Sequence, residues 1–489
     1  MQILRKFFRT RFLPLWLLGF TSLFALVSLG WTEPPAAQIP LTRTTATAPV
    51  ALTTSSVAVT TPANKKPLTH EYLLSNGLKL IVREDHRAPV AIFQIWYKVG
   101  SSYEPAGLTG ISHLLEHMMF KGTNRLKPGE FSRRIAEYGG VENASTTRDY
   151  TLYYQQWEAS RIPISFELEA NRMQHLSFSA TEFAKEHKVV MEERRMRTDD
   201  NPQAKTYERF LESAYIASPY QQPVVGWMED LRRLTLDDIK RWHQQWYAPN
   251  NAVIVVVGDV NPAAMLALAQ RYFGAIPAKT LPPAPSARDI PAISERELRI
   301  HLPAQLPLLL MGYNLPSLTT AENPRDAYAL RMLAGILDSG HSARIETQLV
   351  RQQHIAASAG ADYGPFSRGD ALLVFSGLPN KGVTMDAVKT AYLAMIEDLK
   401  TTPVTPEEMA RVRAQVISSL IYEQDSIGSQ ASNIGELETM GLSWKLLDTY
   451  VAQLQAVTAE HIQQVAQKYL TRDRLTTTEL EPQVMTVNK

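Results

Sequence analysis

A nine-residue pattern occurs twice in this chain of 489 residues. The run LRRLTLDDI begins at Leu231, and the run LQAVTAEHI, which begins at Leu454, carries apolar residues, a threonine and an acidic residue at matching positions. Each copy leads into an apolar-periodic helix that is predicted to end near an aromatic residue, Trp246 or Tyr469. Because the copies lie 223 residues apart, they predict two duplicated domains and not a solenoid of short repeats.

The chain between the two copies is rich in proline. This stretch, from Leu281 to Ile293, is typical of an interdomain connection. We therefore predict an N-terminal domain over residues 67–280, a linker over residues 281–295 and a C-terminal domain over residues 296–489. Near the start of the first domain, the dipeptide Asn-Gly at positions 76–77 lies between two apolar runs and predicts a β-hairpin.

The first 66 residues are predicted to contain a targeting segment and a linker, and not to be part of the folded core. Four basic residues precede an apolar stretch from Phe12 to Trp31, so residues 1–31 look like a secretory signal peptide. The stretch is also long enough to span a bilayer, which leaves an uncleaved membrane anchor open. Residues 32–66 are mostly Thr, Ala, Pro, Ser and Val and are expected to form a flexible linker. We expect the chain to reside in the periplasm or cell envelope of a Gram-negative-type bacterium.

Composition excludes several classes of protein. The formal net charge is +1, so no basic face suited to binding nucleic acid is expected. The chain has no cysteine, which excludes disulfides and thiolate metal sites. Hydrophobic residues make up 45% of the chain, which is enough to bury sizeable cores.

Chemically active residues are concentrated in the run GISHLLEHMM. His113 and His117 stand four residues apart, so on a helix both imidazoles can reach one ion. Glu116 projects to the same side, where it could take a proton from a water on that ion. This is the H-x-x-E-H form of the zinc-peptidase motif. The alternative is a surface helix with two solvated histidines.

A third protein ligand is expected, because a catalytic zinc site uses three of them and keeps one position open. Glu186 and Glu193 lie two turns apart on a predicted helix, so they share one of its faces. Val189, Val190 and Met196 make that face apolar, whereas Glu192 falls on the solvent side. This asymmetry favours Glu193 as the ligand and Glu186 as its support. Buried ion pairs with arginines would explain both carboxylates equally well.

The run HLLEHMMFKGT, followed at a distance by Glu193, resembles the pitrilysin-type inverzincin zinc metallopeptidases. The likeness is to the branch that contains the β subunit of the mitochondrial processing peptidase and its bacterial relatives. Three other segments are similar to this family: GGVENASTTRDYT from Gly139, SPY from Ser218 and YAPNN from Tyr247. The resemblance implies an α+β fold of two related α/β-roll domains, with a zinc site in the first only.

Carried over residue by residue, the resemblance implies one Zn2+ ion per chain, held by His113, His117 and Glu193. Glu116 would be the general base and Glu186 a supporting acidic residue.

The resemblance also implies a substrate-binding edge strand after Gly139. Asn143 and Ala144 would align the main chain of an extended peptide, which is the binding mode called β-augmentation. The alternative for Asn143 is a turn residue that follows two glycines.

The second domain departs from the family pattern. In many relatives it supplies an arginine and, seven residues on, a tyrosine that help to hold the substrate. Here Arg351 matches the arginine, but the tyrosine position is occupied by Ser358, which cannot reach as far as a phenol. Arg351 could equally be an exposed residue at a helix end. We therefore expect a homologous partner chain to supply the Arg/Tyr function.

Together these features predict a zinc-dependent endopeptidase that cleaves peptides or unfolded protein segments, as the catalytic member of a two-chain assembly. The alternative is a catalytically silent peptide-binding or scaffold subunit of the same fold. Neither nucleic acid nor, apart from an uncleaved N-terminus, a membrane is expected as a partner.

Overall fold

The computed structural model describes residues 68–483, so the predicted signal peptide at residues 1–31 and the predicted linker at residues 32–66 lie outside the described part. Its strands, in chain order, are β1 (Thr69–Leu73), β2 (Lys79–Glu84), β3 (Val90–Tyr97), β4 (Val141–Thr146), β5 (Thr151–Glu158), β6 (Ala252–Gly258), β7 (Arg296–Leu302), β8 (Leu308–Leu315), β9 (Ala356–Tyr363), β10 (Ala371–Pro379) and β11 (Leu475–Pro482). Its helices are α1 (Ile111–Met118), α2 (Glu130–Glu137), α3 (Ile162–His175), α4 (Ala180–Arg194), α5 (Pro202–Ala214), α6 (Met228–Leu231), α7 (Leu236–Trp246), α8 (Pro262–Phe273), α9 (Pro324–Leu337), α10 (Met385–Thr401), α11 (Pro406–Glu423), α12 (Ile427–Thr439), α13 (Leu446–Gln455) and α14 (Ala459–Tyr469). Across residues 68–483, no helix combines the length and apolar character needed to cross a lipid bilayer.

Local sequence explains where several of these elements begin. The predicted hairpin is present, since β1 and β2 pair antiparallel and Gly77 between them has a φ of 83°, a conformation that glycine adopts without steric cost. Helix α1 begins directly after Gly110, which has a φ of 87°. The side chains of Thr235 and Thr458 cap α7 and α14. These two helices start 223 residues apart, as the repeat predicts.

Five strands of the six-stranded first sheet have the same arrangement as the five strands of the second sheet, and β1 is the additional strand. The first sheet has the order β1-β2-β6-β3-β5-β4, and the second has the order β7-β11-β8-β10-β9. The pairs β2–β6 and β7–β11 are parallel, and the remaining pairs that correspond between the sheets are antiparallel. The predicted α+β fold with two related domains is therefore confirmed.

Each sheet buries one hydrophobic core under helices of its own half. In the first half, Phe93 of β3 and Leu115 of α1 belong to this core, together with residues of α3, α7 and α8. In the second half, Leu333 of α9 and Phe375 of β10 belong to the corresponding core. Burial of these apolar surfaces is the main term that stabilises such layers.

The opposite face of each sheet is covered by a helix from the other half of the chain. Helix α12, from the second half of the chain, packs on β3 and β6 of the first sheet, where Ile434 lies against Trp96 and Val255. Helix α5, from the first half, packs on β7, β8 and β11 of the second sheet, and Phe210 fills that contact. The two halves are thus interlocked. Residues 274–295 between α8 and β7 have neither helix nor strand, and the domain boundaries that we place there remain a prediction.

Candidate active site

Three elements of the first half meet at the H-x-x-E-H segment. Helix α1 carries the motif and packs against α4 and against β4, the edge strand of the first sheet. The rings of His113 and His117 lie side by side, with their centroids 4.9 Å apart. His113 is buried and His117 is half-buried, so the alternative of two solvated histidines does not fit.

The carboxylate of Glu193 on α4 completes this group. Its Oε2 lies 3.4 Å from Nε2 of His117 and 3.8 Å from Nε2 of His113. Its Oε1 forms an ion pair with Arg197, one turn further on, at 2.6 Å. The two interpretations of Glu193, metal ligand and ion-pair partner, therefore concern different oxygens of one carboxylate.

The spacing of these three side chains suits a metal ion. One donor atom from each of His113, His117 and Glu193 lies within 4.8 Å of the other two. Zinc–ligand bonds of about 2.0–2.2 Å in a tetrahedron place neighbouring donors roughly 3.4 Å apart. Two imidazoles and a carboxylate also form a donor set that catalytic zinc sites use. The residues present therefore fit a zinc ion.

Glu186 supports one of the two histidines from behind. Its Oε2 lies 3.2 Å from Nδ1 of His117, and its Oε1 forms an ion pair with Lys121 at 2.8 Å. A carboxylate at Nδ1 fixes the ring orientation and directs Nε2 towards the metal position. His113 lacks this support, since its buried Nδ1 has no hydrogen-bond partner among the residues described.

Burial and charge set the protonation of the group. Burial lowers the pKa of His113, and the nearby charge of His117 adds to this shift. Burial opposes a charge on His117 as well, but its hydrogen bonds with Glu193 and Glu186 outweigh burial, and its pKa is raised. The hydrogen bond with His117 lowers the pKa of Glu193. A neutral His113 and an ionised Glu193 are the states that metal binding requires of them.

The edge strand holds Glu116 in place. The hydroxyl of Thr146, the last residue of β4, donates to Oε2 of Glu116 at 2.5 Å. Burial raises the pKa of Glu116, and this hydrogen bond partly offsets the shift. A carboxylate with a raised pKa suits a general base that works near neutral pH.

A buried carboxylate fixes the start of α1. Glu104 accepts hydrogen bonds from the backbone N–H groups of Gly110 at 2.7 Å and Ser112 at 2.8 Å. N–H groups in the first turn of a helix have no partner within that helix, so a carboxylate that accepts them fixes where the helix begins. Glu104 therefore sets the position of the helix that carries both histidines.

Strand β4 offers its outer edge to an incoming chain. Asn143 and Ala144 lie in the middle of this edge strand, and not in a turn. The backbone N–H of Ala144 donates to Oδ1 of Asn143 at 2.9 Å. An exposed edge strand is a template for pairing with an extended peptide. The Asn143 side chain occupies a donor that such a peptide would use.

Arg351 does not join the group on α1 and α4. It lies in the last turn of a π-helical segment, Glu346–Gln352, and its side chain is about half exposed. Its guanidinium donates to the carbonyl of His341 and, at 3.0 Å, to Oγ1 of Thr347. These contacts lie within the second half, as expected for an exposed residue at a helix end.

Ser358 lies on β9, which is the edge strand of the second sheet and corresponds in position to β4. The nearby Tyr363 is buried, and its hydroxyl donates to the carbonyl of Pro316 at 2.6 Å. The phenol of Tyr363 is therefore buried in the core and does not replace the tyrosine that is absent at position 358.

The face of α4 that carries Glu186 and Glu193 is buried only in part, whereas the sequence predicts a continuous apolar stripe. Val190 is fully buried in the first core, whereas Val189 and Met196 are 48% and 63% exposed. Met196 is also displaced by a π-helical turn that follows the helix. Glu192 lies on the solvent side, as predicted, and forms an exposed ion pair with Arg195.

Sequence reasoning missed three side chains of this site: Thr146, Lys121 and Glu104. Thr146 could have been found, because it follows Ala144 by two residues and so shares a face of the strand. Lys121 stands four residues after His117 and could have been considered as a partner on the same side. Glu104 precedes the helix and carries no signal of its role, which only the folded contacts reveal.

Two family models match the chain. Residues 79–226 match the model described as "Insulinase (Peptidase family M16)", and residues 233–416 match "Peptidase M16 inactive domain". The first range contains His113, His117 and Glu193, and the second range contains β7 to β10 of the second sheet.

The chain is also similar to individual proteins. It is 32% identical over 426 residues to "Zinc protease PqqE" of Helicobacter pylori, an alignment that covers 85% of this chain and 93% of that protein. Its fold matches the crystal structure of a protease from Helicobacter pylori with a TM-score of 0.80 and 29% identity, covering 85% of this chain and 100% of that chain. It matches the periplasmic protease PqqL of Escherichia coli with a TM-score of 0.73 and 17% identity, covering 86% of this chain but 48% of that chain. At that identity, the second structural likeness concerns the fold alone.

Proposed function

This chain belongs to the M16 family of peptidases, and we propose that it is a zinc-dependent endopeptidase. The observation that carries the proposal is the convergence of donor atoms from His113, His117 and Glu193 beside Glu116. Relatives named as zinc proteases support the same chemistry.

Each side chain of the group has one role in this proposal. Glu116 is the general base, which takes a proton from water and later passes it to the leaving amine. Thr146 orients the Glu116 carboxylate, and Glu186 keeps the His117 ring directed at the metal position. When bound, zinc supplies Lewis acidity, which lowers the pKa of water and polarises a peptide carbonyl.

The substrate we propose is a peptide or an unfolded protein segment. An extended chain can add to β4 as a further strand, so that its main chain supplies most of the binding. Asn143 and Ala144 would align it, after the Asn143 side chain leaves the Ala144 N–H. Most segments of a folded protein already pair their own backbone groups, so this binding mode favours extended segments as substrates.

We further propose that a homologous partner chain supplies the Arg/Tyr function. Two features support this idea: Ser358 replaces the tyrosine, and Arg351 is bound within its own half. The PqqL chain of Escherichia coli extends well beyond the part that this chain matches, so one such protein has room for a second unit. Activity of this chain alone that equals the activity of any complex would refute the partner.

The periplasm or cell envelope is the location we propose. The pattern of residues 1–31 supports export, and PqqL of Escherichia coli is described as periplasmic.

The proposed function is tested by zinc content and peptide hydrolysis, measured on the full chain with and without a candidate partner. Glu116→Gln should retain zinc and lower turnover by roughly 10²- to 10⁴-fold, because it removes the base and leaves the ligands. Glu193→Gln should lose zinc. Glu192→Gln is the matched control on the same helix, since Glu192 is exposed and paired with Arg195, and it should behave as wild type. Unchanged turnover in Glu116→Gln would refute the assigned base.

A catalytically silent peptide-binding subunit is the second candidate. Ser358 and the match of residues 233–416 to a domain described as inactive favour it. That subunit would bind an extended peptide at β4 with no turnover, even when loaded with zinc and mixed with its partner.

A further inference from the structure

The two halves of the chain meet at a buried polar cluster beside the edge strand. Asp149, in the turn between β4 and β5, is buried and accepts hydrogen bonds from Oγ of Ser102 at 3.1 Å and from the hydroxyl of Tyr220. The second half contributes Arg368, which lies between β9 and β10. Its backbone N–H donates to Oδ2 of Asp149 at 3.2 Å, and its Nε donates to Oδ1 at 3.4 Å. Asp149 therefore binds donors from three separate segments of the chain.

Arg368 is itself fixed on several sides. Its Nη2 donates to Oγ of Ser102 at 2.8 Å, and its Nη1 donates to the carbonyl of Pro285. Its guanidinium also lies over the ring of Tyr103, 4.4 Å from the centroid. Removal of the guanidinium would leave Asp149 buried without its cation, which is a costly state for a carboxylate.

The turn between β4 and β5 connects this cluster to Glu116. Thr146, whose hydroxyl donates to Glu116, stands three residues before Asp149. The backbone N–H groups of Ser101 and Ser102 hold the same turn from the other side, through its carbonyls at 3.0 and 2.8 Å. Movement of the turn would therefore displace Thr146 and the carboxylate that it orients. A misplacement of about 1 Å in a reacting group can cost roughly 10²-fold in rate.

We propose that Arg368 is a positioning residue through which the second half of the chain acts on the site in the first half. It holds the β4–β5 turn by way of Asp149, and through Thr146 it sets the place of the Glu116 carboxylate. This inference rests on the proposed function, in which Glu116 is the base. According to this proposal, the second half of the chain positions the general base of the first half through Arg368. This role is separate from any function of Arg351.

The test compares Arg368→Met, which keeps an apolar stem and removes the guanidinium, with Lys79→Met. The control removes another ion pair between the halves, from Lys79 Nζ to Glu438 Oε2 at 2.7 Å, which joins β2 to α12 and does not touch the turn. Arg368→Met should lower kcat roughly 10- to 100-fold with zinc content unchanged, and it should raise amide hydrogen exchange over residues 141–151. Lys79→Met should change neither kcat nor amide hydrogen exchange over residues 141–151. If Arg368→Met fails to fold, Asp149→Asn breaks the same ion pair from the other side, because it removes the carboxylate charge with little change of side-chain volume.

A double substitution distinguishes an effect of Arg368 on the position of Glu116 from a general effect of Arg368 on the stability of the fold. Thr146→Val breaks the last link to Glu116, so adding Arg368→Met to it should lower kcat no further. Wild-type exchange and wild-type kcat in Arg368→Met would overturn the proposal while the endopeptidase function stood. A zinc-loaded wild-type chain without turnover, alone or with its partner, would overturn the proposed function instead, and the exchange measurement would still decide whether Arg368 anchors the turn.

Discussion

Nδ1 of His117 on α1 and Oε2 of Glu186 on α4 lie 3.2 Å apart, so this contact helps to join the helix that carries both histidines to the helix that carries Glu193. Lys121 neutralises the other oxygen of Glu186 at 2.8 Å. The contact orients a ring and holds two helices at the distance that three donors to one ion require.

Glu186→Gln should weaken zinc binding by roughly 10- to 100-fold, because the amide no longer fixes the His117 ring or strengthens it as a donor. Competition with a chromogenic chelator measures the affinity. Glu192→Gln, on the exposed side of the same helix, should leave it unchanged. Equal affinities for the two variants would show that Glu186 has no part in the metal site.

Substitution by alanine should affect stability differently at two glycines of α12. A Cβ on Gly435 would lie 2.1 Å from the indole of Trp96, whereas a Cβ on Gly428 meets nothing closer than 3.4 Å. Gly435→Ala should therefore cost about 1–3 kcal/mol through overpacking. Gly428→Ala should be neutral or stabilise by up to about 1 kcal/mol through helix propensity. Urea unfolding measures both, and a stabilised Gly435→Ala would contradict the packing of α12 on the first sheet.

Arg172 and Glu169 form a buried ion pair in the first core. Nε of Arg172 lies 2.6 Å from Oε2 of Glu169, both side chains are fully buried, and the guanidinium lies 4.3 Å from the ring centroid of Tyr153. Arg172→Met should cost about 3–5 kcal/mol of unfolding free energy, because it leaves the carboxylate buried and unpaired. Arg133→Met, at the exposed pair with Glu137, should cost about 0–1 kcal/mol. Similar losses in the two variants would contradict this difference in burial.

Glu436 on α12 should make stability depend on pH. Burial raises its pKa from 4.5 to about 7, and the charges of Glu423 and Asp149 add to the shift. Between these values the folded chain holds a proton that the unfolded chain has released, so stability falls as the pH rises from 4.5 to about 7. Glu436→Gln should remove this part of the slope and stabilise the chain above about pH 7. Urea unfolding across this pH range tests it, with the exposed Glu397→Gln as control, and an unchanged slope in Glu436→Gln would refute the assignment.

The sequence by itself determined features that depend on neighbours within one element. The four-residue spacing of His113 and His117 fixed their common side on α1, and the Asn-Gly turn fixed the first hairpin. The repeat located α7 and α14, which end at Trp246 and Tyr469. Such patterns survive in the sequence because hydrogen bonding, capping and periodicity act over one or two turns.

Only the tertiary structure decided which surfaces are covered and which distant groups meet. Val190 is buried whereas Val189 and Met196 on the same face of α4 are exposed, which no periodicity within α4 could indicate. Arg368 reaches Asp149 across 219 residues, and α5 and α12 each cover the sheet of the other half. These contacts follow from the path of the whole chain, because burial and long-range ion pairs are set by the segments that arrive from elsewhere and not by the residues beside them in sequence.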